Sequence, residues 1–229
     1  MRKLPVTLNR GETWLGWIYW AVQLLVLPTV IDAVLPLLGL DLSVIQFNFI
    51  FFALNFLFLT VIFHRFLGEH TKLALKQPFR VLRYAFGGYV FFWISTTVIG
   101  IVTAHFVPSF SNVNDVAIMQ MAASDYTLTA IGTVLLAPVA EELMYRGLLF
   151  GSLHHRSPAG AFILSTIVFA AIHVVGYIGL YRPLILVLCF LQYIPAGLCL
   201  GWAYTRSGNI WAPILAHIAI NQTSILTMR

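Results

Sequence analysis

Charged residues are scarce in this chain. Of its 229 residues only 9% are charged, whereas about 25% are charged in ordinary soluble domains. Hydrophobic residues make up 60% of the chain, and the mean hydropathy is +0.89. So few charges cannot cover the surface of a water-soluble globule, which excludes that class of protein. The sequence predicts an integral membrane protein instead.

Cysteine pairs and membrane β-barrel patterns are also missing. The two cysteines, Cys189 and Cys199, are ten residues apart in one apolar segment, so a helix would separate them by about 15 Å and a mutual disulfide is excluded. The short alternating segments of a membrane β-barrel do not occur. We therefore predict an all-α integral membrane protein with about seven transmembrane helices. The apolar spans cover approximately residues 14–31, 44–63, 84–106, 126–150, 159–177, 184–204 and 210–226.

Basic residues are distributed unevenly between the two sides of these spans. One side carries ten of them, namely Arg2, Lys3, Arg10, Arg65, Lys72, Lys76, Arg80, Arg83, Arg156 and Arg206. The other side carries Arg182 and Arg229. The positive-inside rule then places the N-terminus in the cytoplasm, and we expect a multi-pass protein of a cell membrane, of the bacterial cytoplasmic type. The net charge of +5 reflects this topology and the lipid bilayer as partner, so nucleic acid is not expected as a partner.

Three ionisable residues interrupt the fourth span, in the segment LLAPVAEELMYRG at 135–147. Glu142 and Arg146 are four residues apart, so they share a helix face and can form an ion pair that serves only as a buried staple. Glu141 is rotated by about 100° from Glu142 and has no partner on its own helix. An ionisable side chain at this depth costs roughly 2.5 to 3.5 kcal/mol and usually faces a bundle interior or a wet cavity. We therefore predict a functional role for Glu141.

Two further spans carry histidines in apolar surroundings. Phe169 and His173 share a face of the fifth span, and His217 and Asn221 share a face of the seventh. A single buried histidine is more often a packing residue than a ligand or a base. Because both histidines are expected near the level of Glu141, from the cytoplasmic half to the middle of the membrane, together they predict a site.

The three motifs EExxxR, FxxxH and HxxxN, each in an apolar span and in this order, closely resemble those of the CPBP family. This is the CAAX protease and bacteriocin-processing group of intramembrane enzymes, which includes Rce1-type and Abi-like members. The resemblance covers about residues 126–226 and implies a catalytic core of four transmembrane helices at 126–229. Residues 1–125 would form an N-terminal membrane region with three transmembrane helices and a basic cytoplasmic loop.

The resemblance implies an endopeptidase that acts on a protein or peptide precursor presented at the membrane. Glu141 would be the general base that activates water, His173 would help to position this water, and His217 and Asn221 would hold the oxyanion. The residues that would shape the site are Glu142, Arg146 and Phe169. Such a reaction needs a base and preorganised hydrogen-bond donors, and it needs no cofactor.

Three alternatives stay open at this stage. The same hydrolysis can be run by a zinc ion held by Glu141, His173 and His217, although the HExxH pattern of soluble zinc proteases is missing. A membrane protein with these residues can also bind a peptide without cleaving it, as a receptor or a bacteriocin immunity protein. A proton-coupled transporter is the third alternative, but no internal repeat supports it. For an enzyme, both prenylated CAAX proteins and secreted peptide precursors are candidate substrates.

Overall fold

The computed structural model describes residues 4–227, which form ten helices and no strand. The first six helices are α1 (Arg10–Leu25), α2 (Leu27–Leu37), α3 (Val44–Ile62), α4 (His64–Lys76), α5 (Pro78–Phe106) and α6 (Val113–Ser124). The last four are α7 (Tyr126–His154), α8 (Pro158–Val175), α9 (Pro183–Ser207) and α10 (Trp211–Thr227). The predicted all-α membrane architecture is confirmed. Of the residues used to predict the orientation, Arg2, Lys3 and Arg229 lie outside the described residues.

Most of the predicted spans correspond to single helices. The helices α3, α5, α7, α8 and α9 are each long and apolar enough to cross a membrane. A sixth candidate is the pair α1 and α2, which is bent by 59° at Val26. Pro28 lies in the first turn of α2, where its missing N–H leaves no hydrogen bond unmade. The seventh predicted span is α10, whose 17 residues extend over about 26 Å.

Helix α7 carries the two glutamates and is irregular on both sides of them. Ile131–Leu136 and Leu143–Phe150 form wide π-helical turns, and the glutamates lie in the α-helical segment between these turns. Pro138 accounts for the first irregularity, because its ring nitrogen cannot donate to a carbonyl in the preceding turn. The helix is therefore disturbed just before the acids, in the form of a π-helical turn.

The four C-terminal helices pack together, with α8 against α9 and with both α9 and α10 against α5. Gly197 allows the close approach of α8 and α9, because a Cβ atom at this position would lie 2.7 Å from the side chain of Thr166. Helix α3 lies along α7 on the other side. As a result α7 is the most enclosed of the membrane-spanning helices.

A buried apolar cluster fills the end of the bundle where α3 and α7 end and α10 begins. We call it the basal cluster; it includes Leu59, Phe63, Phe66, Leu143, Leu148, Phe150, Tyr204, Ile210 and Ile214. Helix α4 closes this end from outside. The side-chain amide of Asn209 donates to the carbonyl of His70 at 2.8 Å, and the Trp211 indole donates to Thr71 at 2.9 Å. This end of the bundle is therefore sealed.

Candidate active site

The Glu142–Arg146 ion pair forms as the spacing predicts. Arg146 donates to Oε1 of Glu142 at 2.9 Å, and both side chains are 0% exposed. A second guanidinium nitrogen donates to the carbonyl of Gly197 at 3.2 Å, and the guanidinium carbon lies 4.6 Å from the centre of the Phe169 ring. The pair thus connects α7 to α8 and α9 in the interior of the bundle.

The same glutamate also contacts His217, and sequence reasoning did not predict this contact. Nδ1 of His217 lies 2.9 Å from Oε1 of Glu142. Because this oxygen already accepts from the Arg146 guanidinium, it is a carboxylate acceptor, and Nδ1 of His217 must donate to it. The hydrogen bond fixes the orientation of the imidazole and directs Nε2 towards Glu141.

Glu141 lies where the two imidazoles meet. Its Oε2 atom is 3.9 Å from Nε2 of His173 and 3.9 Å from Nε2 of His217. These separations are too long for direct hydrogen bonds, and the buried Oε2 atom has no hydrogen-bond partner among residues 4–227. The Glu141 side chain is nevertheless 26% exposed, so water can reach it.

His173 is held by its own helix and by an aromatic ring. Nδ1 lies 2.7 Å from the carbonyl oxygen of Phe169, and since a carbonyl can only accept, Nδ1 carries the proton. Nε2 of the neutral ring is then an acceptor directed at Glu141. The ring of Tyr193 stacks on the imidazole at a centroid distance of 4.3 Å. The FxxxH spacing indicated the contact between His173 and Phe169, whereas nothing in the sequence indicated the contact with Tyr193.

Asn221 completes the set through the irregular part of α7. Its side-chain nitrogen donates to the carbonyl of Thr133 at 2.8 Å. In the π-helical turn Ala137 donates to Gly132, five residues earlier, so the next donor to Thr133 would be residue 138. Residue 138 is proline and has no N–H. Asn221 therefore binds the carbonyl that Pro138 leaves without its helical donor.

All four predicted catalytic residues line one cavity of about 760 Å³, which is within the range of enclosed ligand sites. Its lining contains further polar residues that sequence reasoning missed, because each is unremarkable alone. Asn114 donates to the Tyr193 hydroxyl at 2.9 Å, and this hydroxyl donates to Asp115 at 3.2 Å. Burial raises the pKa of Asp115 to about 6, partly offset by the Tyr193 hydrogen bond. The start of α6 is thus joined to the ring that holds His173.

The zinc alternative can be compared with these distances. Ligand atoms at about 2.0 to 2.2 Å from a tetrahedral zinc ion lie roughly 3.3 to 3.6 Å apart. The 3.9 Å separations at Glu141 are wider than this, and they suit a bridging water better. Within residues 4–227 no group of three histidine, cysteine or acidic side chains has a geometry that would hold a metal ion. That no cofactor is needed stays a prediction.

Comparisons with known proteins give the same family as the motifs. Residues 123–223 match the model of the family described as type II CAAX prenyl endopeptidase Rce1-like. The chain is also similar to the protein named "Putative membrane peptidase YdiL" of Bacillus subtilis, at 26% identity over 98 residues. This match covers 41% of the chain and only 34% of the relative, about a third of its length. No solved structure gives a significant match.

The family match includes every residue of the three motifs. The resemblance to the CAAX protease family that was inferred from EExxxR, FxxxH and HxxxN is therefore confirmed by a family model over residues 123–223, and the similar Bacillus subtilis protein also carries the name of a membrane peptidase.

Proposed function

We propose that this multi-pass membrane protein is an intramembrane endopeptidase that uses a glutamate-activated water, because residues 123–223 match the model of the Rce1-like family of CAAX prenyl endopeptidases. The observation that carries the proposal is the position of Glu141. Its buried Oε2 atom has no hydrogen-bond partner in the described part of the chain and lies 3.9 Å from an imidazole nitrogen on each of two other helices.

Glu141 and His173 are the residues that would prepare the water. A water between Oε2 of Glu141 and Nε2 of His173 can donate one hydrogen to each, since both atoms are acceptors. Its oxygen then presents a lone pair to the carbonyl carbon of the substrate. As the oxygen–carbon bond forms, Glu141 takes a proton from the water, and it later gives this proton to the leaving nitrogen as the carbon–nitrogen bond breaks.

His217 and Asn221 are the residues that would hold the oxyanion. Because Nδ1 of His217 donates to Glu142, its Nε2 can donate to an oxyanion only if the ring carries a second proton. The buried Glu142 carboxylate stabilises such an imidazolium. Asn221 uses one amide hydrogen for Thr133 and keeps the other. Each donor of this kind contributes about 2.7 to 4 kcal/mol to transition-state stabilisation.

The charges of the site balance in this arrangement. Glu141 and Glu142 each carry one negative charge, and Arg146 and a protonated His217 each carry one positive charge, so the four sum to zero. A buried cluster without net charge avoids the several kcal/mol that an uncompensated ion would cost in a low-dielectric interior. The site can therefore hold a charged base and a charged oxyanion donor at the same depth.

The experiment that tests the function compares peptide termini in cells that express the natural protein or Glu141→Gln at equal levels. Glu69→Gln is the matched control, because Glu69 lies on α4, outside the cavity lining, and forms an ion pair with the exposed Lys72. Mass spectrometry of membranes and culture medium should show termini that depend on Glu141 and not on Glu69. Identical termini in all three strains would contradict proteolysis and favour a protein that binds peptides without cleaving them.

A further inference from the structure

Two aromatic rings contact the imidazole of His173. The Tyr193 ring stacks on it at a centroid distance of 4.3 Å and an interplanar angle of 23°, and the Phe169 ring lies at 4.7 Å and 46°. The hydrogen bond between Nδ1 and the Phe169 carbonyl fixes one atom of the imidazole, but it leaves the plane of the ring free to tilt. Stacking against the face of Tyr193 restricts this tilt. The direction in which Nε2 faces Glu141 therefore depends on the Tyr193 ring.

The hydroxyl of Tyr193 is held at two points by the start of α6. It accepts a hydrogen bond from the side-chain amide of Asn114 at 2.9 Å and donates to Asp115 at 3.2 Å. Because a phenol has a single hydrogen to donate, this hydrogen is in use. The side-chain oxygen of Asn114 accepts in turn from the hydroxyl of Tyr177 at 3.3 Å. The outer end of the Tyr193 ring is thus fixed by residues 78 and 79 positions away in the sequence.

The start of α6 is itself anchored to α8 and α9. Asn112 caps α6 by accepting from a backbone N–H of the first turn at 3.0 Å, and its side-chain amide donates to Gln192 at 2.9 Å. Val113 is buried in an apolar cluster with Val174 of α8 and Cys189 of α9. The residues that hold the Tyr193 hydroxyl therefore have a fixed position relative to the helix that carries His173.

We propose that Tyr193 is a positioning residue, whose ring sets the plane of the His173 imidazole and so directs Nε2 towards the water at Glu141. Helix α6 takes part through Asn114 and Asp115, which hold the Tyr193 hydroxyl. This inference rests on the proposed endopeptidase function and deepens it, because it names the group that orients the histidine that would position the water.

A tyrosine with a purely structural role would join α6 to α9 without affecting the imidazole. The two roles predict different results. Loss of a structural contact lowers thermal stability, and it changes the rate only as far as it changes the folded fraction. Loss of a positioning contact lowers kcat in the folded protein, leaves KM nearly unchanged and alters the surroundings of His173.

The surroundings of His173 can be measured by NMR without activity. Histidine with an NMR-active carbon at Cε1 is incorporated into the protein in detergent, and the signal of His173 is identified by its loss in His173→Gln. A proton over the face of an aromatic ring resonates at higher field, so the Hε1 proton should move to lower field in Tyr193→Leu. Tyr193→Phe retains the ring and should retain most of the natural shift.

Tyr84→Leu is the matched control for the loss of a half-buried tyrosine. The Tyr84 ring contacts the Trp202 ring at a centroid distance of 5.5 Å, and Tyr84 lies outside the cavity lining. The Hε1 signal of His173 and the value of kcat should both be natural in this variant.

The kinetic test uses a synthetic peptide that spans a terminus found to depend on Glu141. Tyr193→Leu should lower kcat by about 10-fold to 10²-fold with little change in KM, as expected for a displacement of up to about 1 Å near the reacting atoms. Tyr193→Phe should lower kcat by a smaller factor, because the stacked ring remains. The proposal would be overturned if kcat of folded Tyr193→Leu equalled that of Tyr84→Leu.

The part played by α6 is tested by combining Asn114→Ala with Tyr193→Phe. Both changes break the same hydrogen bond, so the double variant should lose no more in kcat than the more impaired single variant. Losses that multiply would overturn the role of α6. Asn114→Ala also replaces Tyr193→Leu as the deciding variant if the latter does not fold. It leaves the ring unheld, so kcat should fall and the Hε1 signal should move, and natural values of both would overturn the proposal.

Failure of this inference can be distinguished from failure of the proposed function. If Glu141→Gln removes no peptide terminus, the proposed hydrolysis fails, and the Hε1 signal alone decides whether Tyr193 orients His173. If cleavage depends on Glu141 but Tyr193→Leu changes neither kcat nor the Hε1 signal, the hydrolysis stands and the positioning role fails.

Discussion

Nδ1 of His217 lies 2.9 Å from Oε1 of Glu142, the same oxygen that accepts from Arg146 at 2.9 Å. One carboxylate oxygen thus neutralises the guanidinium of its own helix and orients an imidazole of another. The second glutamate of EExxxR connects the ion pair to the proposed catalytic residues, so its removal should affect both stability and catalysis.

Glu142→Gln is expected to lower the free energy of unfolding by about 3 to 5 kcal/mol, because Arg146 is left buried without its counter-charge. The double variant Glu142→Gln/Arg146→Met should recover much of this loss, since it buries no unpaired charge. It should stay inactive, because His217 has still lost the carboxylate that holds it. Thermal unfolding in detergent and the cleavage rate measure the two effects. A double variant as active as the natural protein would contradict the role of Glu142 in holding His217.

Asn221→Ala should lower kcat by about 10² to 10³ with little change in KM, as expected for loss of an oxyanion donor.

Pro138→Ala tests how Asn221 is held, because the new N–H can compete for the Thr133 carbonyl. We expect kcat to fall by roughly 10² if Asn221 is displaced by about 1 Å, while thermal stability stays the same or rises. Pro36→Ala, inside α2, is the matched control and should leave kcat unchanged. A Pro138→Ala variant with full kcat would show that the contact with Thr133 does not position Asn221.

Removal of metal distinguishes the mechanism that uses a glutamate-activated water from the alternative that uses zinc. A strong chelator, followed by desalting, should leave the rate of cleavage unchanged, and the purified protein should contain less than one zinc ion per chain. The basis is the 3.9 Å spacing at Glu141, which is wide for ligands of one zinc ion. Activity that is lost in chelator and restored by zinc would favour zinc held by Glu141, His173 and His217.

Asp115 predicts a pH dependence of stability. Burial raises its pKa from 3.8 to about 6, so the folded state holds a proton on this carboxyl between these pH values whereas the unfolded state does not. The contribution of Asp115 to the free energy of unfolding is therefore fully present below about pH 3.8 and is lost as the pH rises through about 6. Asp115→Asn cannot ionise, so it should unfold at a higher temperature than the natural protein at pH 7.5 and at a similar temperature at pH 3.5. An equal difference at both pH values would contradict the assignment.

The residues of the site could be chosen from the sequence because the membrane makes ionisable groups costly. Glu141, His173 and His217 each interrupt an apolar span, and i,i+4 spacing pairs Glu142 with Arg146 and Phe169 with His173. The structure has both i,i+4 contacts. By contrast, the contact of Glu142 with His217 joins residues 75 positions apart. The spacing of residues within one helix cannot indicate a contact between residues so far apart in the sequence.

The sequence alone determined the class of this protein. Its low content of charged residues indicates a membrane protein, and its long apolar segments indicate transmembrane helices. Its ordered motifs indicate the resemblance to a family. Only the tertiary structure decided which oxygen of which glutamate each histidine faces, that Asn221 binds a carbonyl left free by Pro138, and that α6 lines the same cavity as these residues. Hydropathy and spacing are properties of one helix, and they follow from solvent and backbone geometry. Which helices line a cavity depends on how they pack together, and polar residues such as Asn114, Asp115 and Tyr193 come into contact only through that packing.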